Sequence, residues 1–376
     1  MLSFGKKRFL ASLLILLLCA LVAGCSTNIS APAISSSASD GTTNSCQDST
    51  CAPGSTDVQS SVGAGTHEVK VFVEPDSGSK VITDAIQQAQ KSIWLEMYLL
   101  TNHSIITSLE EAAHRNIDVR VMLEVHPYGS SGSSPTQTLD RLSAAGVKTQ
   151  AASPDFSLTH EKGMIVDGTT AYIMTANFTL SALGGSKITT NREYGIIDTN
   201  TQDVQTMMTI FSADWNRSPL QQVNDPNLVV SPINARRDFK ALIGSAKKSL
   251  WIEAEEMQDT EIEQALDNAA RHGVQIEVIL PAPNNTSSDS SGSNDYNSQG
   301  VTNIQQAGVQ VKESTRLYMH AKIIVVDGQE AFVGSENIST ASLDHNREMG
   351  VIVSDPGVLI TLQQTFQNDW SNSRNA

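Results

Sequence analysis

Residues 318–328 read YMHAKIIVVDG, a histidine and a lysine two positions apart at the head of an apolar run that closes on Asp-Gly. Alternate side chains of a strand share a face, so His320 and Lys322 project together and Ile324 and Val326 continue their row. Asp327-Gly328 then reads as a tight turn into the next apolar run, residues 331–333, which makes the stretch a β-hairpin. One such hairpin on its own reads as a strand end with solvated charges. Residues 159–168, THEKGMIVDG, repeat it with His160, Lys162 and Asp167-Gly168 at the same spacing, and chance does not account for two copies in register.

The repetition reaches well beyond the hairpins. Residues 92–100, SIWLEMYLL, and 249–257, SLWIEAEEM, each follow a stretch of helical periodicity, at 80–91 and 236–248. A further helix, at 104–115 and 259–271, leads in both halves to a second apolar strand, VRVMLEV or IEVILP. A Gly/Ser/Asn-rich loop, another helix, a short strand and the His/Lys hairpin complete the order. Alternating strand and helix predicts an α/β layer fold for each half. Asn177 and Asn337 each lie 17 residues past their histidine, and NREYG at 191–195 answers NREMG at 346–350. Both halves end on F-x-x-D-W, at 211–215 and 366–370, whose aromatics are expected to anchor the core.

Paired H-x-K-x4-D motifs, each followed by an asparagine and then a glutamate, resemble the phospholipase D superfamily in its two-motif, single-chain form. The resemblance covers residues 68–370. It implies two repeated α/β/α sandwich domains with mixed sheets, related by a pseudo-twofold, and one active site between them.

Phosphodiester chemistry explains why such residues are needed twice. The substrate is an anion that resists attack, so a site needs cations and amide donors on the non-bridging oxygens, a nucleophile, and an acid for the leaving alcohol. Lys162, Lys322, Asn177 and Asn337 are the expected cradle. One neutral imidazole attacks to give a phosphohistidine, while the other, protonated, supplies the alcohol's proton and later deprotonates water. By the resemblance, His160 is the nucleophile and His320 the acid and base. The same resemblance pairs each histidine with the glutamate of the opposite half, Glu348 with His160 and Glu193 with His320. Taken alone, the two N-R-E stretches also fit turns with a surface ion pair to Arg192 or Arg347.

Asp167 and Asp327 face away from the His/Lys row and are assigned a supporting role. Thr175 and Ser335 are either donors to phosphate or plain turn hydroxyls. Met174-Thr175 stands where the family pattern has glycine and serine, present here as Gly334-Ser335, and is expected to narrow the first half's pocket. His67, His103, His114, His126, His272 and His345 lack repeated partners and read as surface or loop groups. The two-histidine route calls for no metal or other cofactor.

The chain's 376 residues, 39% hydrophobic and 17% charged, suffice for one large or two ordinary cores. Lys6, Lys7 and Arg8 precede an apolar run at residues 9–23 that is short for a bilayer span, so the start reads as an export signal. Val22-Ala23-Gly24-Cys25 resembles a bacterial lipobox, which implies cleavage before Cys25, acylation of that cysteine and a membrane anchor. The Ser/Thr-rich stretch that follows reads as a tether, and Cys46 and Cys51 within it are candidates for a small disulfide loop. The chain is thus divided into a lipoprotein signal peptide at 1–24, a flexible linker at 25–66, and domains at 67–220 and 221–376.

Loss of the three basic residues of the signal takes the net charge from −15 to −18, which weighs against a nucleic acid as substrate. The expected activity is hydrolysis of a glycerophospholipid to phosphatidic acid and a head-group alcohol by an exported, membrane-anchored phosphodiesterase. A nuclease of the same superfamily and a cardiolipin synthase-like phosphatidyl transferase are the alternatives.

Overall fold

The strand Lys162–Val166 is buried at every position, and so is its counterpart Lys322–Val326. A strand without a solvent face needs cover on both sides, and the chain supplies helices on one side and the other half of the molecule on the other. The computed structural model describes residues 65–128, 134–283 and 296–376. The signal peptide, Cys25, the Cys46 and Cys51 pair and nearly all of the expected linker lie outside the described residues.

The first sheet runs Val69–Glu74, Asn191–Asp198, Thr170–Met174, Lys162–Val166, Ser92–Met97, Asp118–Leu123, Lys148–Ala151. The second repeats that order as Leu228–Ser231, Glu348–Val353, Glu330–Gly334, Lys322–Val326, Ser249–Ala254, Gln275–Pro281, Gln310–Ser314, and Arg374–Asn375 extends it. Strands joined through helices pair in parallel and the hairpin strands pair antiparallel, so both sheets are mixed, as the family resemblance implies. Helix starts are set locally: Asn102 accepts from Ser104 and Ile105 backbone N–H groups, and Asp259 accepts from Glu261 and Ile262.

Each outer helical layer closes its own core. Ile82, Ile86, Ile105 and Leu109 pack on the first sheet, and Phe239, Leu242, Ile262 and Leu266 on the second. The third core belongs to both halves, joining Ile165, Ile173, Ile196 and Phe211 to Ile323, Val333, Val351 and Phe366. The F-x-x-D-W aromatics sit here as expected. Phe211 stacks between Trp94 and Trp215 at 5.3 and 5.7 Å, and Phe366 between Trp251 and Trp370 at 5.4 and 5.8 Å.

Asp167 and Asp327 explain the far end of each hairpin. Both adopt positive φ, 57° and 52°, ahead of glycines at 67° and 66°. Asp167 accepts backbone N–H groups of Gln90, Lys91 and Ser92 at 3.0, 2.6 and 3.0 Å. Asp327 does the same for Lys247, Lys248 and Ser249 at 2.8, 2.7 and 2.8 Å. Each aspartate therefore fixes the start of the neighbouring central strand, at the opposite end from the histidine.

The halves are also stitched edge to edge beside the histidines. Tyr318–Met319 pairs in parallel with Asn191 and Arg192, and Thr159 bridges Arg347. The N-R-E segments are not surface turns: the first opens the strand Asn191–Asp198, the second leads into Glu348–Val353, and both are buried.

Candidate active site

These two crossings bring each histidine to the other half's glutamate. The His160 backbone N–H donates to the Arg347 carbonyl at 2.8 Å, and the Tyr318 N–H to the Thr190 carbonyl at 2.9 Å. With the backbones so held, His160 Nδ1 lies 2.8 Å from Glu348 Oε2, and His320 Nδ1 lies 2.8 Å from Glu193 Oε1. Both glutamates are wholly buried. A carboxylate only accepts, so Nδ1 of each ring carries the hydrogen and Nε2 is left for chemistry.

Each carboxylate is itself positioned. Glu193 accepts from Thr175 Oγ1 at 2.6 Å and Asn191 Nδ2 at 2.9 Å. Glu348 accepts from Ser342 Oγ at 2.8 Å and Asn346 Nδ2 at 3.2 Å. Thr175 thus serves the glutamate and, being fully buried, does not reach the cleft. Ser335 is equally buried and accepts the Met349 backbone N–H at 3.0 Å. Neither is placed to donate to phosphate.

His160, His320, Asn177 and Asn337 line a single cleft of about 1200 Å³, together with Tyr98 and Glu255. Among the described residues, neither Asn177 Oδ1 nor Asn337 Oδ1 has a hydrogen-bond partner. Lys162 and Lys322 lie beneath the floor, where each ammonium donates to the carbonyl of its own histidine, Lys322 at 2.7 Å. Tyr98 stands edge-on to His160 at 4.6 Å, with the Lys162 ammonium 5.2 Å from its ring.

Burial lowers His160 below the ordinary imidazole value, and the Lys162 and Lys322 charges add to it, while Glu348 opposes without reversing the direction. Burial also pushes the Lys162 ammonium down to about 7. Against its own burial, Glu348 is held below the usual carboxylate range by His160 and Lys162. The first half therefore presents a neutral imidazole donating to an ionised carboxylate, the state required of a nucleophile. His320 differs in having a second carboxylate on its other side, Glu255 Oε2, at 3.4 Å from Nε2.

Met174 is fully buried in the first half's own core and does not line the cleft, so it does not narrow the pocket. Its counterpart Gly334 is dictated by packing, because a Cβ there would meet Gly350 Cα at 2.4 Å. The six other histidines are exposed, as their lack of repeated partners suggests.

The sequence offers Arg192 and Arg347 only a surface ion pair, whereas both are buried and reach across to the other half. Arg347 pairs with Asp214 of the first half's F-x-x-D-W at 2.8 Å, and Arg192 pairs with Asp369 of the second at 2.9 Å. The same arginines hold edge-strand carbonyls, Arg347 that of Ser231 at 2.8 Å and Arg192 that of Glu74 at 2.6 Å. Their signal was present as a repeated Arg and a repeated Asp. Glu96, Glu161 and Asp214 bring carboxylate oxygens within 4.8 Å of one another, outside the cleft, and burial pushes the Glu161 carboxyl up to about 8. Burial favours the protonated form of Glu161, and the Arg347 charge opposes it.

A family model described as "Cardiolipin synthase, PLD-like domain" matches residues 82–215 and again 239–370. A probable cardiolipin synthase of Bacillus subtilis is 25% identical over 346 residues, covering 81% of this chain and 66% of that protein. A cardiolipin synthase of Halalkalibacterium halodurans is 25% identical over 335 residues, covering 80% of this chain and 65% of that protein. The chain thus spans just under two thirds of the length of these relatives. Among solved structures, a phosphatidylserine synthase from Haemophilus influenzae has the same fold, with a TM-score of 0.67 at 12% identity over 83% of this chain and 88% of that one.

Proposed function

This chain belongs to the phospholipase D superfamily, and from that premise we propose that it transfers a phosphatidyl group from a glycerophospholipid to an alcohol acceptor, in the manner of a cardiolipin synthase. The observation that carries the proposal is the crossed pair of His–Glu contacts opening on one cleft. The named relatives support transfer over hydrolysis, which the sequence alone had put first.

In the proposed cycle His160 Nε2 attacks phosphorus as the bond to the head-group oxygen breaks, and His320 Nε2 gives that oxygen its proton. The acceptor's hydroxyl then loses its proton to His320, its oxygen attacks phosphorus, and the P–N bond breaks to return His160. Asn177, Asn337 and the two lysines meet the non-bridging oxygens and the charge that grows on them. Water in place of the alcohol gives phosphatidic acid by the same steps, so hydrolysis is the side reaction of an open cleft.

A lipid substrate is supported by the cleft's surroundings. Ile188, 97% exposed, and Tyr128, 83% exposed, stand among its lining residues, where acyl chains and the bilayer surface would meet them. Among the described residues no helix is long and apolar enough to cross a membrane. Anchorage through an acylated Cys25 and an extracytoplasmic location are part of the proposal and rest on the lipobox-like sequence.

The test is incubation of the purified protein with vesicles of phosphatidylglycerol, with chelator present, followed by separation of the lipids. Cardiolipin and free glycerol should form, and should fail to form with His160→Ala or His320→Ala. Phosphatidic acid as the sole product would reverse the order of the two readings, and DNA cleavage without lipid turnover would reject both.

A further inference from the structure

The two halves differ at a position that meets the reacting atoms. At the end of the strand Ser92–Met97 the first half has Tyr98, and at the end of Ser249–Ala254 the second has Glu255. Tyr98 turns its hydroxyl aside to accept the Tyr128 backbone N–H at 2.6 Å. Glu255 points at the second half's phosphate donors. Its Oε2 lies 2.8 Å from Lys322 Nζ, 3.4 Å from His320 Nε2 and 3.5 Å from Asn337 Nδ2, while Oε1 accepts from Tyr318 OH at 2.9 Å. These are three of the groups that the reaction assigns to the phosphate and the leaving oxygen. The carboxylate stands where a phosphate oxygen has to go.

Although burial alone would raise it, the His320 and Lys322 charges hold the Glu255 carboxyl far below the ordinary range, so the occupant is an anion at any working pH. Two anions cannot share one set of donors without strong repulsion. A substrate must therefore displace Glu255 from Lys322 and Asn337, and the displaced charge needs a new partner. A phosphodiester brings one negative charge to this contest and a phosphomonoester up to two. A substrate that carries an ammonium group next to its phosphodiester brings the partner as well.

We infer that Glu255 is a specificity-determining residue, an internal anion that excludes phosphomonoesters and inorganic phosphate from the second half-site and favours phosphodiesters with an ammonium-bearing head group. The inference deepens the phosphatidyl-transfer reading and rests on it for the identity of the site. It adds a reason for the halves to be unequal: His160 faces an open cradle, and His320 faces one already filled.

The test separates the two claims by measuring phosphate binding without any lipid. Inorganic phosphate is titrated calorimetrically into the full chain and into Glu255→Gln, which keeps the shape and removes the charge. Affinity should rise at least tenfold in the variant. Tyr318→Phe, which releases Oε1 without touching Lys322, His320 or Asn337, should raise it by a smaller factor and covers the case in which Glu255→Gln fails to fold. Unchanged or weaker phosphate binding in the folded variants overturns the inference. With vesicles, the wild type should release ethanolamine from phosphatidylethanolamine faster than glycerol from phosphatidylglycerol, and Glu255→Gln should bring that ratio toward one; a ratio that does not move overturns the head-group preference. Tighter phosphate binding without turnover of either lipid counts against the transferase reading and leaves the anion-exclusion role standing.

Discussion

Arg347 of the second half lies 2.8 Å from Asp214 of the first, with both side chains almost fully buried. It sits one residue before Glu348, so the ion pair that joins the halves also sets where the carboxylate meets His160. Arg192 and Asp369 repeat the arrangement in the other direction, next to Glu193 and His320. Stability and catalysis are therefore coupled through one pair of neighbouring residues in each half.

Removing one partner of such a pair leaves a buried charge alone. Arg347→Met should cost about 3–5 kcal/mol of unfolding free energy. It should also lower activity in the fraction that stays folded, because Glu348 loses its register. Urea unfolding of the variant beside the wild type measures the first effect, and a variant as stable as the wild type would show that the pair does not hold the halves.

Glu348→Gln keeps the volume and removes the charge that orients His160. The rate should fall by about 10²–10³-fold, the range for losing control of a catalytic proton. Because Glu348 raises the His160 value against burial, its loss should move the acid limb of the kcat/KM profile to lower pH. A profile that shifts upward, or a rate within a few-fold of wild type, contradicts the assignment.

Burial raises the carboxyls of Glu161 and Glu253 to about 8 from an ordinary value of 4.5. A group raised in this way binds its proton more strongly when folded, so its stabilising share is complete below about 4.5 and is lost as pH rises through about 8. Tm should therefore fall between pH 5 and pH 9, and Glu161→Gln should flatten that fall. A Tm that climbs over the same interval would contradict the protonated state given to these carboxyls.

Asp327→Ala removes the acceptor for three backbone N–H groups. The cost should be about 1–3 kcal/mol, with turnover retained below the unfolding transition, because the aspartate fixes the strand and does not face the cleft. Asp167→Ala should behave alike. Loss of turnover in a folded variant would give these residues a closer role than the hydrogen bonds provide.

Much of this organisation was legible in the sequence because duplication turns single residues into patterns. The doubled hairpin and the doubled N-R-E marked the residues of one repeated site, the doubled F-x-x-D-W predicted the core anchors, and the strands and helices fell in the repeated order. The crossing of Glu193 and Glu348 came only from the family resemblance, since no spacing along one chain says which half a side chain will face. The sequence left Thr175 open between a phosphate donor and a turn hydroxyl, because a hydroxyl two residues from such an asparagine can also turn inward, and here it donates to Glu193. Met174 was misjudged, as alternation sends it to the core. Glu255 escaped notice because a repeat directs attention to what the halves share, and its importance lies in being unlike Tyr98.

The account depends on His160 and His320, 160 positions apart in sequence, acting in turn on one phosphorus atom. Mapping the covalent intermediate tests this most directly. The wild type is mixed with a short-chain phosphatidylglycerol, quenched in alkali during turnover to preserve the P–N bond, and analysed by peptide mass spectrometry. The phosphatidyl group should be found on His160 and should be absent from His160→Ala treated identically. A label on His320 in the wild type, or none on any histidine while lipid is turned over, would contradict it.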